Sequence, residues 1–277
     1  VDGKRTLFIQ EKDPEKLPWK DLDIDIVIES TGMFESYEKA SAHIKAGAKQ
    51  VIISAPAKDE ENEGKLGKTT LLGINESEFG NYKIYSNGSC TTNAASPIIA
   101  ILSENPGIEK ALLNTVHGYT ATQNLVDGPT KGKDFRRGRA AAQNIVPSFT
   151  GAAISVTKVI PSLHGLFDGI AMRVPVTTGS IADITFVAKR DTSAEEINDI
   201  LRKAAKDPRW KNVFAVVEEQ VVSSDIIGQP YAAIADLNFT RVVGGNLVKV
   251  LSWYDNEWGY SSILVEEAVR LGRMIAK

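Results

Sequence analysis

KIYSNGSCTTNAASPIIAILSEN, residues 83–105, joins a strand pattern to a helix pattern across a tight turn. The strand pattern KIYSN runs into a Gly-Ser turn, and an apolar helical pattern begins directly after it. A strand followed at once by a helix is typical of a doubly wound sheet. The turn also places Cys90 at or near the N-terminus of the helix.

The residues before this stretch show the same alternation. LDIDIVIES (22–30) and QVIISAP (50–56) are short runs rich in β-branched residues, and YEKASAHIKAGA (37–48) between them has helical spacing. TTLLGIN (69–75) predicts another short strand, and the charged residues 58–68 predict a solvated surface loop. The first 90 residues therefore predict a parallel, doubly wound sheet.

The residues after this stretch contain longer strands and few helices. The strand patterns are EKALLNTVHGYT (109–120), DGIAMRVPV (168–176), GSIADITFVAKR (179–190) and NLVKVLSWYDN (246–256). Helices are predicted at 151–160, at 192–207 and in the amphipathic segment that ends the sequence. Long strands with few helices among them predict an α+β domain.

Length and composition exclude several classes of protein. The 277 residues suit about two domains, and 32 basic against 35 acidic side chains give a net charge of −3. A nucleic-acid partner is not predicted, because such binders usually have a clear basic excess. A membrane is not predicted either, because no window approaches about 18 consecutive apolar residues. The N-terminal residues lack the apolar core of a signal peptide, and the single cysteine excludes a disulfide framework within the chain.

Cys90 and His117 are the residues whose chemistry the patterns favour. A helix N-terminus stabilises a thiolate, so Cys90 is a candidate nucleophile, and the alternative is a small buried apolar residue. His117 ends a strand just before a polar loop, and a Cys–His pair activates a thiol. The other histidines, His43 in a helix and His164 in a loop, are predicted to be structural.

Basic residues and a second helix start predict anion sites. Arg173 lies in an apolar strand, where a buried guanidinium needs either a ligand anion or an internal Asp or Glu. Thr150 and Gly151 open a helix whose N–H groups could hold an anion. No metal is predicted, because one cysteine and three scattered histidines lack the spacing of a metal site. A cluster of arginines lies in the long loop 121–139: Arg136, Arg137 and Arg139.

Five longer motifs occur in order along the chain: SNGSCTTN (86–93), HGYTATQ (117–123), VDGPTKGKDFRRGRAAAQNIVPSFTGAA (126–153), GIAMRVP (169–175) and SWYDNEWGYS (252–261). Together they resemble the phosphorylating glyceraldehyde-3-phosphate dehydrogenases over essentially the whole chain. The resemblance implies an α/β fold, with an incomplete doubly wound (Rossmann-like) NAD-binding domain and an α+β catalytic domain whose long sheet is mainly antiparallel. The implied domains are residues 1–89, completed by the C-terminal helix 257–277, and residues 90–256.

The resemblance also implies an enzyme of glycolysis that converts glyceraldehyde 3-phosphate and inorganic phosphate to 1,3-bisphosphoglycerate, with NAD as cofactor. Cys90 would attack the aldehyde to give a hemithioacetal, and His117 would take a proton as hydride leaves. Phosphate would then attack the resulting thioester. One implied anion site consists of Ser89, Thr91, Thr150 and Gly151. The other consists of Thr120, Arg137 and Arg173, and the choice between Arg136 and Arg137 stays open because this loop is one residue longer than in many relatives.

The same resemblance implies the NAD-binding residues and the assembly. The residues similar to cofactor-lining positions are Thr31, Gly32, Phe34, Ser54, Asn256 and Tyr260, of which Asn256 would hold the nicotinamide amide. The loop 121–139 resembles the segment that lines a neighbouring subunit's cofactor site, so a homotetramer in the cytoplasm is expected. Gly128-Pro129 in that loop resembles the NAD-preferring version of the family.

Departures from the family leave alternatives open. The family's first strand–GxGxxG–helix unit has no counterpart, so the sequence is expected to start after it. Ala94 replaces a second cysteine that the chemistry does not need, and Val176–Thr178 replaces the usual turn after the RVP strand. The alternatives are a dehydrogenase for another phosphorylated aldehyde such as erythrose 4-phosphate, a cofactor-incompetent fragment that acts as a binding or assembly module, and a Cys–His hydrolase.

Overall fold

Two sheets organise the protein, and the structure, a computed structural model, describes residues 2–59, 66–130 and 133–275. The first sheet has four strands in the order β1-β2-β4-β3, and all of its pairs are parallel. Its strands are β1 (Ile26–Glu29), β2 (Gln50–Ile53), β3 (Gly67–Thr69) and β4 (Ile84–Ser86). Helix α1 (Tyr37–Lys45) connects β1 to β2, as the alternation of patterns predicts.

One strand of the first sheet is shorter and lies earlier than predicted. The prediction of a strand over 69–75 is wrong for most of its length, because β3 ends at Thr69. Gly73 has a φ of +76°, which is not a strand conformation. The side chain of Asn75 accepts a hydrogen bond from the backbone N–H of Leu71 and closes a turn. Of the predicted charged loop 58–68, residues 60–65 lie outside the described residues.

The second sheet has seven strands in the order β6-β7-β5-β8-β11-β10-β9. The strands are β5 (Ile108–Gly118), β6 (Val146–Phe149), β7 (Phe167–Val174), β8 (Ser180–Ala188), β9 (Phe214–Val217), β10 (Ala233–Val243) and β11 (Leu247–Tyr254). The pairs β5/β7 and β9/β10 are parallel and the other four are antiparallel, so the sheet is mainly antiparallel as predicted. The sequence patterns do not predict β6, β9 or β10, and a β-bulge between Asp236 and Arg241 interrupts the alternation in β10.

The apolar core lies on one side of the second sheet. Along β8, every second residue is buried, from Ser180 to Ala188, and the residues between them are half-buried. The buried side packs against helices α2 (Cys90–Glu104), α3 (Ala152–Val159) and α4 (Ala194–Ala204). The opposite side leaves apolar side chains in solvent, such as Leu112 at 65% exposure.

The C-terminal helix α5 (Trp258–Ile275) packs against the first sheet through a buried carboxyl group. Glu267 is fully buried, and it accepts hydrogen bonds from Thr70 Oγ1 at 2.5 Å and from the side-chain amide of Asn87. Arg270 on the same helix pairs with Glu76 at 2.7 Å. These contacts support the division into residues 1–89 with 257–277 and residues 90–256, which stays a prediction.

Replacing Glu267 by glutamine should change how stability depends on pH. Burial raises the pKa of Glu267 to about 7, from an ordinary value of 4.5, although the bonds from Thr70 and Asn87 partly oppose the shift. The folded state binds the carboxyl proton of Glu267 more tightly than the unfolded state does. The stability that this proton contributes is therefore fully present below about pH 4.5 and is lost as pH rises through about 7. Glutamine does not ionise, so between about pH 4.5 and pH values above 7 the stability of the variant relative to wild type should rise by on the order of 3 kcal/mol.

Urea unfolding of both proteins across this pH range measures the effect. Glu266→Gln is the matched control, because its carboxylate pairs with Arg270 near the surface and should leave the wild-type pH dependence in place. Parallel curves for wild type and Glu267→Gln would contradict the prediction.

Candidate active site

Cys90 is the first residue of α2, as the sequence predicts. Ser89 is the N-cap, and its Oγ accepts a hydrogen bond from the backbone N–H of Thr92 at 3.1 Å. The chain arrives from β4 through Gly88, whose φ of +68° makes the sharp turn possible. The sulfur therefore lies at the positive end of a 15-residue helix, which favours an anion there.

His117 lies within reach of this sulfur. It is next to last in β5, is 2% exposed, and places its Nε2 atom 3.4 Å from Sγ of Cys90. The two residues are 27 positions apart in sequence, and the sheet and helix bring them together. A thiol beside an imidazole can be activated as a nucleophile. The prediction that these two residues form a pair agrees with the geometry.

Tyr254 contacts His117 and Thr91, the residue after Cys90, and no sequence signal predicts these contacts. Its ring packs edge-on against the imidazole of His117, with 5.8 Å between centroids. Its hydroxyl lies 2.9 Å from Thr91 Oγ1 and 2.7 Å from Thr115 Oγ1. The Thr91 hydroxyl therefore faces Tyr254. If Thr91 binds an anion, it would do so through its backbone N–H.

Arg173 completes the cluster from the neighbouring strand. It is the Cα partner of His117 in the parallel pair β5/β7, and its Nη1 lies 2.7 Å from Nδ1 of that histidine. Nη1 also donates to the Gly118 carbonyl at 3.1 Å. Within the described ranges Arg173 has no Asp or Glu partner, so the alternative of an internal ion pair is not realised there.

The surroundings favour an uncharged Cys–His pair in this arrangement. Burial raises the pKa of the Cys90 thiol, while the charge of Arg173 and hydrogen bonds from Thr91 oppose this shift. Burial and, to a smaller extent, the nearby charge of Arg173 together lower the pKa of His117 to about 4. The Cys90 thiol is therefore a weak acid and the His117 imidazole a weak base, so the proton stays on the sulfur near neutral pH.

Two arginines of the loop, Arg136 and Arg137, have different kinds of partner. Arg136 is held by Asp134, with Nε 2.7 Å from Oδ1, and lies over the ring of Phe149. Arg137 instead donates to Ser148 Oγ at 3.1 Å. Burial lowers the pKa of Arg173, and the charge of Arg137 contributes to that shift, so these two guanidinium groups lie near each other. The geometry favours Arg137 over Arg136 as the second cation of an anion site.

The remaining predicted anion ligands lie at a loop and a helix start. The Oγ1 of Thr120 lies 3.0 Å from that of Thr122. Gly151 is the N-cap of α3, and Thr150 Oγ1 accepts from the backbone N–H of Ala152 at 3.2 Å. No hydrogen bond between described residues links these groups to Cys90 or Arg173. Residues 131–132 of the loop 121–139 lie outside the described residues.

The predicted cofactor residues follow the carboxyl ends of parallel strands. Thr31 and Gly32 come after β1 and are exposed, and Ser54 comes after β2 and donates from Oγ to the Glu29 carbonyl at 3.1 Å. Cys90 follows β4 at the same edge. Dinucleotides bind at this edge of open α/β sheets, so the exposed loops fit such a cofactor.

Two further cofactor candidates lie close to the cysteine turn. Tyr260 donates from its hydroxyl to the Gly88 carbonyl at 3.0 Å. The amide of Asn256 is 6% exposed, and its Oδ1 accepts from Ser180 Oγ at 2.8 Å. With its oxygen engaged, Asn256 offers its Nδ2 to a ligand, although that atom also lies 3.3 Å from Glu257 Oε1. An amide N–H donor suits the carboxamide oxygen of a nicotinamide ring.

His43 and Phe34 form a different cluster. His43 is buried, its Nε2 lies 2.8 Å from Glu29 Oε2, and its Nδ1 accepts from Trp19 Nε1 at 3.1 Å. The ring of Phe34 packs edge-on against it. These contacts agree with the prediction that His43 is structural. His164 is exposed, and no hydrogen bond between described residues joins it to Cys90 or His117.

Two family models match the chain. The C-terminal domain of glyceraldehyde 3-phosphate dehydrogenase matches residues 89–256, and the NAD binding domain of the same family matches residues 1–37. The chain belongs to the glyceraldehyde-3-phosphate dehydrogenase family. The predicted family, its NAD-dependent dehydrogenase activity and its two-part fold are thereby confirmed.

Individual members of the glyceraldehyde-3-phosphate dehydrogenase family are similar over nearly the whole chain. The enzyme of that name from Streptomyces coelicolor is 46% identical over 277 residues, which span 99% of this chain and 80% of that protein. The one from Mycobacterium avium is 47% identical over 263 residues, or 95% of this chain and 75% of that protein. Glyceraldehyde-3-phosphate dehydrogenase B from Aspergillus oryzae is 46% identical over 94% of this chain and 75% of its own length.

Every helix among the described residues is too short or too polar to span a membrane. No group of three or more His, Cys, Asp or Glu residues within the described part could hold a metal ion.

Proposed function

We propose that the chain oxidises glyceraldehyde 3-phosphate to 1,3-bisphosphoglycerate through a thioester on Cys90. The observation that carries the proposal is the position of the Cys90 sulfur, at the start of α2 and 3.4 Å from His117 Nε2. The helix dipole favours the thiolate, and the imidazole can take its proton. Family membership supplies the reaction, and this geometry supplies residues that could perform it.

The proposed steps use two side chains. The Cys90 sulfur forms a bond to the aldehyde carbon and gives a hemithioacetal. His117 takes the proton of the hemithioacetal hydroxyl at Nε2 as the carbon loses hydride, and a thioester results. Inorganic phosphate then attacks the thioester carbonyl, and the sulfur leaves. NAD, when bound, accepts the hydride.

Free N–H groups at the start of α2 could stabilise the tetrahedral states. The backbone N–H groups of the first helical turn have no carbonyl partner inside the helix; that of Thr92 donates to the Ser89 side chain, and that of Thr91 is directed at the Cys90 sulfur. Donors placed where negative charge develops are often the largest catalytic contribution. We assign this role to the backbone around Cys90.

The chain's polar groups would hold the two phosphates and the cofactor. Arg137 and Arg173 would form the more basic site, together with Thr120, which follows β5. The other site combines Ser89 and Thr91 with the α3 start at Thr150 and Gly151. Asn256 would bind the nicotinamide amide, Tyr260 would pack beside it, and the remaining cofactor contacts would come from Thr31, Gly32, Phe34 and Ser54.

Formation of NADH from glyceraldehyde 3-phosphate, NAD and inorganic phosphate tests the function directly. Steady turnover that requires phosphate would support it, and kcat/KM with erythrose 4-phosphate in parallel would identify the preferred aldehyde. Absence of turnover, together with absence of NAD binding in a titration, would instead support a cofactor-incompetent binding module.

Replacing Arg137 by glutamine should raise KM for inorganic phosphate or for the phosphorylated aldehyde by about 10- to 100-fold, because a charged hydrogen bond to a phosphate is lost. Steady-state kinetics with each substrate varied measures this. Arg136→Gln is the matched control, since Asp134 already neutralises Arg136, and its KM values should stay within about threefold of wild type. Equal effects of the two substitutions would contradict the assignment.

We propose a homotetramer by similarity to the family, and the open side of the second sheet supports contact between copies of the chain. Apolar side chains on or beside that sheet are exposed, among them Leu112 at 65%, Phe149 at 76% and Ile170 at 48%. Apolar patches of this kind usually mark protein–protein contacts. Sedimentation equilibrium would contradict the assignment if the chain stayed monomeric at micromolar concentration.

We place this activity in the cytoplasm. The proposed reaction needs the single thiol in its reduced form, and the cytoplasm keeps thiols reduced. Detection of the protein only outside the cytoplasmic fraction of cells would contradict this placement.

A further inference from the structure

The Nδ1 atom of His117 has two neighbours with opposite requirements. It lies 2.6 Å from the carbonyl oxygen of Gly118 and 2.7 Å from Nη1 of Arg173. The carbonyl oxygen only accepts, so it needs a proton on Nδ1, whereas the guanidinium only donates and needs a lone pair there. One ring nitrogen cannot meet both requirements at once. The position of the ring proton therefore depends on which neighbour is engaged.

The sheet register keeps Arg173 beside this atom. The two residues are Cα partners in β5/β7, and Nη1 has a second proton that reaches the Gly118 carbonyl at 3.1 Å. With Nη1 serving both Nδ1 and the carbonyl, the proton of a neutral ring belongs on Nε2. That atom faces the Cys90 sulfur at 3.4 Å, so it can donate to sulfur but cannot take the thiol proton.

We propose that Arg173 is a positioning residue that selects the tautomer of His117. While Nη1 lies on Nδ1, the ring carries its proton on Nε2 and is not a base toward Cys90. When a phosphate group draws the guanidinium away, Nδ1 takes a proton from water and donates to Gly118, and Nε2 releases its proton to water. The ring stays neutral, and Nε2 then faces the thiol with a free lone pair. The phosphate in this proposal rests on the proposed function.

The charges around Arg173 are compatible with such a movement. No carboxylate of the described residues pairs with it, and its Nε and Nη2 atoms donate no hydrogen bond to those residues. A phosphate would therefore find open donors, with Arg137 as a second cation nearby. Burial, with a contribution from the charge of Arg173, lowers the pKa of His117 to about 4, so at neutral pH the ring is neutral and carries one ring proton.

Nitrogen NMR of the full chain labelled with ¹⁵N-histidine measures the proton position, because protonated and unprotonated ring nitrogens have well-separated shifts. The chain has three histidines, so His117→Asn and His164→Asn spectra assign the signals. His43 is an internal reference, since the Trp19 N–H can only donate and fixes Nδ1 of His43 as an acceptor.

At neutral pH we expect unprotonated Nδ1 of His117 in the free wild type and protonated Nδ1 in Arg173→Gln. Saturating inorganic phosphate should move the wild type to protonated Nδ1 and leave Arg173→Gln unchanged. Arg137→Gln is the matched control, because it removes the same charge without touching the ring, and its free form should match wild type. Melting temperatures verify that the variants fold.

Three results would overturn the proposal: protonated Nδ1 in the free wild type, identical tautomers in wild type and Arg173→Gln, or phosphate that gives a thermal shift dependent on Arg137 without moving the proton. The first measurement needs only the assigned wild-type spectrum and no phosphate, so it decides even if Arg173→Gln fails to fold. Turnover of wild type is measured separately. An inactive chain with an Arg173-dependent tautomer would contradict the proposed function and leave this assignment intact.

Discussion

Cys90→Ser should lower kcat/KM for glyceraldehyde 3-phosphate by about 10⁴-fold or more, measured as NADH formation with saturating NAD and phosphate. A hydroxyl is a far weaker acid than a thiol. The base available to it, His117, has a pKa lowered to about 4 by burial and by Arg173, and is too weak to activate it. The acyl-enzyme would also be an ester, which phosphate attacks less readily than a thioester.

The single cysteine provides a sharp control for this variant. A thiol reagent can modify only Cys90, so wild type should lose activity in proportion to one modified group per chain. Cys90→Ser should resist the reagent while its melting temperature and NAD titration stay close to those of wild type. Substantial turnover by a folded serine variant would exclude the thioester.

His117→Asn should lower kcat by about 10²- to 10⁴-fold, because the general base is removed while the side chain stays polar. The pH profile should change as well. Without the imidazole, solvent must ionise the thiol, and burial raises the pKa of Cys90 above its ordinary 9.0. Because the ionised form is the active one, the remaining activity should keep rising as pH increases toward and beyond that value.

His164→Asn is the control for this second substitution, since His164 is exposed and makes no hydrogen bond to Cys90 or His117 within the described part of the chain. Its kcat and pH profile should match wild type within about twofold. A His117→Asn enzyme with a wild-type pH profile would assign the base to another group.

The sequence predicts the position of Cys90 better than it predicts the distant residues that surround it. The position of Cys90 at a helix N-terminus follows from a strand pattern, a glycine turn and a capping serine within a few residues. By contrast, Tyr254 looks like an ordinary residue of an alternating strand, and only the structure shows that its hydroxyl joins Thr91 to Thr115. Capping is a local interaction, whereas the role of a side chain 163 positions away depends on strand pairing.

The arginines illustrate the same limit. A buried guanidinium must be paired, and this principle alone leaves a ligand and an internal carboxylate as equal choices for Arg173. The structure gives a third answer, the Nδ1 atom of His117, because β7 pairs in parallel with β5 in one register. Nor does the loop sequence distinguish Arg136 from Arg137, whereas Asp134 in the folded loop does.

By itself, then, the sequence determined the two-part α/β fold, the family, the helix that presents Cys90 and the strand that ends near His117. These features depend on periodicity, turns and caps, which act over a few residues. Only the tertiary structure decided that Nε2 of His117 faces the sulfur, that Arg173 occupies Nδ1 and that Glu267 is buried against Asn87. These contacts depend on sheet order, register and helix docking, and local patterns contain no information about which distant partner an element meets.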